Sequence, residues 1–297
     1  MGANAPGKAA TNYLAIRLKE TFRIMTKTPP RDWNAIAWPE VSAGDAARWI
    51  AVLPLAATEQ HGPHLPLETD VMIGEAYLAR LKQLLPPALP VTFLPVQRIG
   101  ISTEHTDYPG TQTLSTEAAL KQWMTLGENV ARAGVRKLVM VTSHGGNVAA
   151  MMLVAQDLRA RHGMLAVTTG WSRFGAPEGL FSADELRHGI HGGAVETSIM
   201  LARYPQAVKK AAIADFPSTA AAMEKEFRWL STQRPAPFAW QAQDLNPSGA
   251  VGDARAATAE KGERLLDHGA RAFCELLHDV DKFDVKRLAA GPKVGLK

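Results

Sequence analysis

Apolar residues fall in short runs separated by longer amphipathic stretches. Residues 49–55 (WIAVLPL), 91–96 (VTFLPV), 137–142 (KLVMVT) and 165–169 read as buried strands. Between them, residues 71–85, 116–133 and 148–162 repeat apolar positions at helical spacing. Pro86-Pro87 ends the first helix, because proline lacks an N–H and disfavours helix in the residue before it. Ser115 or Thr116 caps the second helix and Gly134 stops it. Further helices are predicted over 192–204 and 254–278, with irregular chain over the proline-rich 216–250. Apolar strands alternating with helices of this length imply a parallel sheet covered on both faces. A separate amphipathic helix is expected over 9–27 (Tyr13, Leu14, Ile16, Leu18, Phe22, Ile24), stopped by Pro29-Pro30.

Charge refines the organisation. The formal net charge is +4, but residues 1–31 hold six basic side chains and one acid, and residues 285–297 hold four basic side chains and no acid. The stretch between therefore carries −5. We expect a basic N-terminal arm (1–31), a single domain (32–284) and a basic C-terminal tail (285–297). The arm is expected to pack on the body or dock on an acidic neighbour. A nucleic-acid-binding domain needs its basic residues on one folded face, so no nucleic-acid partner is expected. One cysteine, Cys274, excludes an internal disulfide and a thiolate metal cluster. No apolar run reaches the roughly 18 residues of a membrane span, and the N-terminus lacks a secretory core. A cytoplasmic protein without a membrane partner is expected.

Polar clusters sit directly after the strands, where parallel sheets place their ligands. They are Thr58 to Asp70 (TEQHGPHLPLETD), Gly100 to Thr111 (GISTEHTDYPGT) and Ser143 to Asn147 (SHGGN). A further cluster, His191 to Thr197 (HGGAVET), opens a helix. Glu59 and His61, two apart, face the same side of an extended segment, and Asp70 can return to the same point. Carboxylates with imidazoles suit Zn²⁺, Mn²⁺ or Fe²⁺. An ordinary polar loop with a capping Asp70 fits the same spacing equally well. His144 with its glycines is also compatible with a plain turn or an anion nest, and Glu196 with a first-turn acid favoured by the helix dipole. Three His/acid clusters at three element ends favour a shared metal centre. A phosphate-loop reading of His144-Gly145-Gly146-Asn147 lacks the required lysine. Neither Ser102 nor Ser143 has a nucleophile elbow around it.

These segments, in order, together with Ser248 to Gly262 (SGAVGDARAATAEKG), resemble the creatininase family of metal-dependent amidohydrolases over about residues 33–278. The resemblance implies a three-layer α/β/α fold with a mainly parallel central sheet and two divalent metal ions (Zn, Mn or Fe) per subunit. Carried over by motif, Glu59 and His144 would hold one ion and His61 the other, with Asp70 bridging. Glu196 would be a further ligand or a base, and His191 a proton donor or substrate binder. His64, Ser102, Glu104, His105, Gly145, Gly146 and Trp171 are expected around the substrate pocket, although core packing explains Trp171 equally well. Where creatininase has His-Tyr-Glu, this chain has His144-Gly145-Gly146. Gly146 supplies no carboxylate, which argues against creatinine as substrate and for Glu196 as the replacement ligand. The implied reaction is cleavage of a C–N bond in a small cyclic amide or formamide, with a small-molecule amide as partner and a homo-oligomer, often a hexamer, as the assembly. Formamidopyrimidine-nucleotide deformylases and a peptidase of redox-cofactor maturation share the pattern. A metal-binding module without catalysis is the alternative from another class.

Overall fold

The computed structural model describes residues 28–43 and 45–291. The helix expected over 9–27 lies outside them. Four strands, β1 (Ile50–Leu55), β2 (Val91–Phe93), β3 (Lys137–Thr142) and β4 (Leu165–Gly170), form one sheet in the order β2-β1-β3-β4. Every pairing is parallel; Ile50 lies opposite Val91 and Lys137, and Lys137 opposite Leu165. β2 ends earlier than its apolar run suggests, because Pro95 cannot donate to a ladder. Beyond it the chain makes only an isolated bridge, Leu55 to Gln97.

Alternate residues of the two central strands enter different cores, as the two-residue period of a strand requires. Ile50, Val52, Val139 and Val141 pack with α1 (Thr69–Leu84), α5 (Ala194–Arg203) and α6 (Ala259–Lys282) through Tyr77, Leu81, Ile199, Phe273 and Leu277. Ala51, Leu53, Leu138 and Met140 pack with α2 (Thr116–Arg132) and α3 (Val148–His162) through Trp123, Val130, Met151 and Leu158. The result is helices, sheet, helices: the expected three layers. Ser115 Oγ accepts from the Ala118 N–H at 3.2 Å, so the expected cap on α2 is made.

The last helix begins at Ala259 rather than 254. Thr258 is its N-cap, and Ala254–Ala256 form a separate 3-10 turn. A short helix, α4 (Ala183–His188), precedes α5. Residues 216–250 are broken into brief pieces, as their prolines suggest. One of the charges counted with the tails binds the body: the Arg31 guanidinium donates to the carbonyls of Pro86, Leu89 and Val91. Lys286 lies in a 3-10 turn (Val285–Arg287) whose Asp284 cap accepts from the Lys286 backbone N–H. Among the described residues no helix is long and apolar enough to cross a membrane.

Candidate metal centre

The carboxyl ends of β1 and β3 and the N-terminal turns of α1 and α5 converge on one buried cluster. Glu59 and His61 follow β1, Asp70 lies in the first turn of α1, His144 follows β3, and His191 and Glu196 flank the start of α5. Glu59, His61, Asp70, His105, His144 and His191 are all buried. Asp70 is not a cap: the N-cap position of α1 belongs to Glu68, and the Asp70 carboxylate turns inward.

Asp70 stands between two sets of donor atoms. Its Oδ2 lies 3.4 Å from His144 Nδ1, which is 3.1 Å from Glu59 Oε1. Its Oδ1 lies 3.6 Å from His61 Nε2, which is 3.8 Å from Glu196 Oε2. Ligand atoms about 2.1 Å from one tetrahedral ion sit about 3.4 Å from each other, so both spacings suit a shared cation. Glu59, Asp70 and His144 form one compact group, His61, His191 and Glu196 another, and Glu59, His105 and His191 a third.

Hydrogen bonds aim the imidazoles. His144 Nε2 lies 2.7 Å from the Ile101 carbonyl, and His61 Nδ1 lies 3.1 Å from the Glu59 carbonyl. A carbonyl only accepts, so these nitrogens carry the protons. His144 Nδ1 and His61 Nε2 then face the cluster, in the outer-sphere pattern that metal-binding histidines use. His191 Nε2 donates to the Gln60 carbonyl at 2.6 Å, which leaves its Nδ1 facing Glu59 Oε1 at 3.7 Å. The Gln60 amide donates to His105 Nδ1 at 2.7 Å and to the Gly249 carbonyl at 2.9 Å. His105 therefore carries its proton on Nε2, which lies 3.3 Å from Glu59 Oε1 without forming a hydrogen bond to it. In this tautomer the His105 nitrogen nearest Glu59 offers no lone pair to an ion.

The electrostatics are those of a crowded anionic site. Burial alone would raise the Glu59 carboxyl, but His144, His105 and His191 overcome it and hold the group below the usual carboxylate range. Burial raises Asp70 and Glu104, and pushes Glu196 up to about 7. Burial would lower His61 and His144. Asp70 and Glu196 instead raise His61 to about 9, and Glu59, Asp70 and Glu104 raise His144 to about 10. His105 is pushed down to about 4 by burial, and His191 well below its ordinary value by burial and its neighbouring imidazoles. Two protons thus sit where cations would relieve the same acids. Both oxygens of Glu59, Asp70 Oδ2 and His61 Nε2 are buried with no hydrogen-bond partner. Buried polar atoms are rarely left so, and cations held by the two groups would satisfy them.

The remaining expected residues divide. Glu104 Oε1 lies 3.5 Å from His144 Nε2, beside the cluster. Ser102 is buried with its hydroxyl unpartnered. A Cβ built on Gly145 meets nothing within 4 Å, whereas one on Gly146 overlaps His144 Nε2, the Ile101 carbonyl and Glu104. His64 turns away: its Nε2 pairs with Thr197 Oγ1 at 2.9 Å and its ring stacks on Phe216. Trp171 stacks on Tyr77, with ring centroids 4.4 Å apart, and packs on Phe273 within the core. Gln60 was missed by the sequence reading. It lies between two ligand candidates, and only the folded chain brings His105, His191 and Gly249 to its amide. Asn147 was likewise treated only as part of a turn. It accepts from the Ile101 N–H at 3.0 Å and donates to the Ala56 carbonyl, so it fixes the loop whose carbonyl orients His144.

A family model described as creatinine amidohydrolase (Creatininase) matches residues 34–277. A mycofactocin precursor peptide peptidase from Mycobacterium ulcerans (strain Agy99) is 32% identical over 237 residues, covering 78% of this chain and 83% of that protein. A creatinine amidohydrolase from Pseudomonas putida is 28% identical over 263 residues, 82% of this chain and 95% of that one. Among solved structures, one described as creatininase Mn superposes with a TM-score of 0.68 at 22% identity, covering 86% of this chain and 100% of the other. A creatinine amidohydrolase (creatininase) superposes at 0.67 with 24% identity and the same coverage.

Proposed function

The chain belongs to the creatininase family of hydrolases, which act on carbon–nitrogen bonds, and from that premise we propose that it cleaves an amide C–N bond with two divalent ions. Glu59, His144 and Asp70 would hold one ion, and His61, Asp70 and Glu196 the other. The observation that carries this reading is the set of orphaned buried atoms (both Glu59 oxygens, Asp70 Oδ2 and His61 Nε2) on either side of one carboxylate. Ions in these positions would supply Lewis acidity and a nucleophile near neutral pH.

The chain's own groups do the rest. The Ile101 and Glu59 carbonyls hold His144 and His61 in the tautomers that present lone pairs. His105 Nε2 stands 3.3 Å from the Glu59 carboxylate. His191, neutral and with its proton committed to the Gln60 carbonyl, offers Nδ1 to accept a hydrogen bond from a substrate N–H. Glu196 Oε2 is held by the Gly192 N–H at 2.6 Å. Its side chain is one-fifth exposed, which places it to carry a proton from the attacking water to the departing nitrogen. The Ser102 hydroxyl, without a protein partner, is free to bind the substrate.

A small cyclic amide or formamide is one substrate class. A peptide is the second, favoured by the relatives described as peptidases and by the open space at Gly145, which leaves room for a substrate that continues beyond the scissile bond. The test is metal analysis of purified protein, with the same metal-loaded sample assayed on lactams, cyclic ureides, formamides and short peptides. About two ions per chain, with turnover that a chelator abolishes and added metal restores, is expected. Two bound ions without turnover on any class would replace this reading with a non-catalytic metal-binding module.

A further inference from the structure

Glu185 is a buried carboxylate that takes no part in the cluster. It lies in α4, and its Oε1 accepts from the Ala194 N–H at 2.5 Å, while its Oε2 accepts from the Asp253 N–H at 2.8 Å. Ala194 is the first residue of α5, whose N–H groups have no partner within the helix. Asp253 belongs to the strand segment that continues from Val251. Val251 is bridged to His191, donating to its carbonyl at 2.7 Å. One side chain therefore ties both ends of the His191–Val251 bridge and the first turn of α5. Three glycines make room for it. A Cβ on Gly189 or Gly193 would overlap the Glu185 carboxylate, and one on Gly252 would come within 3.0 Å of it.

We propose that Glu185 is the positioning residue for the His191–Glu196 side of the metal centre. Glu196 is two residues beyond Ala194 on the same rigid turn, so the tilt of that turn sets where its carboxylate stands relative to His61. His191 leaves the other end of the clamp. Glu185 touches neither ion position nor substrate; it acts through backbone N–H groups, where a carboxylate is favoured by the helix dipole. The Glu59–His144 side hangs on β1 and β3, and neither of these residues is held by the Glu185 hydrogen bonds. Loss of Glu185 should therefore loosen one ion position and spare the other.

Part of the test rests on the two-ion reading above; the other part does not. Zn²⁺ is titrated into metal-free full-length protein against a chromophoric chelator for the wild type, Glu185→Gln and Gly189→Ala. Gln keeps the volume but turns one acceptor into a donor facing a backbone N–H. Gly189 has φ −80°, so alanine fits the backbone there and only pushes the carboxylate aside. Each variant is expected to weaken one of two sites by about 10- to 100-fold, as loss of an outer-sphere partner does, and to leave the other unchanged. Hydrogen exchange of the metal-free proteins should speed up at the Gly192 and Ala194 amides and stay constant at Gly62. Unchanged exchange at those amides, or equal weakening of both sites, would overturn the role of Glu185. A wild type that binds fewer than two ions would overturn the two-ion reading instead, and the exchange measurement still decides for Glu185.

Discussion

Gly145 and Gly146 are neighbours in the sequence and opposites in space, and the contrast gives a sharp test. Gly146→Ala places a methyl on the hydrogen bond by which the Ile101 carbonyl orients His144, a bond of 2.7 Å. The methyl also lies 2.7 Å from Glu104 Oε1, which must retreat by about 0.7 Å to reach ordinary contact. The backbone at Gly146 is not among the positive-φ glycines, so the substitution acts through this overlap alone. Breaking the bond costs about 1 kcal/mol and frees the ring to turn its protonated nitrogen toward the ion. We expect metal affinity at the Glu59–His144 position to fall by about 10- to 100-fold, or about 1.4–2.8 kcal/mol. Gly145→Ala, pointing into open space, should leave affinity within about twofold. Competition titration with a chromophoric chelator reads both, and thermal melts of the metal-free proteins check that each is folded. Equal affinities for the two variants would refute the claim that the Ile101–His144 bond orients a metal ligand.

Asp70→Asn should reduce metal content from about two ions to at most one per chain and remove most turnover; two ions with full activity would show that Asp70 does not bridge. Lys137, buried at the start of β3, donates to the Val280 and Asp281 carbonyls at 2.8 and 2.7 Å, so Lys137→Met should cost about 1–3 kcal/mol in denaturant unfolding with metal content unchanged. Burial pushes the His64 imidazole from 6.5 down to about 4, so between those values the unfolded chain takes up a proton that the folded chain refuses. That contribution is present in full above pH 6.5 and is lost as pH falls toward 4. His64→Gln should flatten the decline of metal-free stability between pH 7 and 5, and an identical slope in the variant would remove His64 as a cause.

Much of the molecule was legible in the chain itself. The runs WIAVLPL and, between Lys137 and Thr142, LVMV are apolar throughout and could be buried only as central strands, and alternate residues of each enter different cores. The ligand types were legible too, because carboxylates and imidazoles cluster where strands end. What no local pattern contains is direction. Glu59 and His105 both lie in polar segments that follow strands, yet the Gln60 amide, reaching across 45 residues to His105 and 189 to Gly249, sets which His105 nitrogen carries the proton. His64 sits in the same segment as His61, yet Thr197 and Phe216 draw it to the other side. Trp171 follows a strand end like the site residues, yet its ring is larger than any partner but the core provides, and Tyr77 and Phe273 take it. Hydrophobic period and residue chemistry are properties of short segments, so the sequence by itself determined the layers and the kinds of ligand. Tautomers, the place of Asp70 between the two groups and the Glu185 hydrogen bonds depend on atoms distant in the chain meeting at short range, and only the tertiary structure decided them.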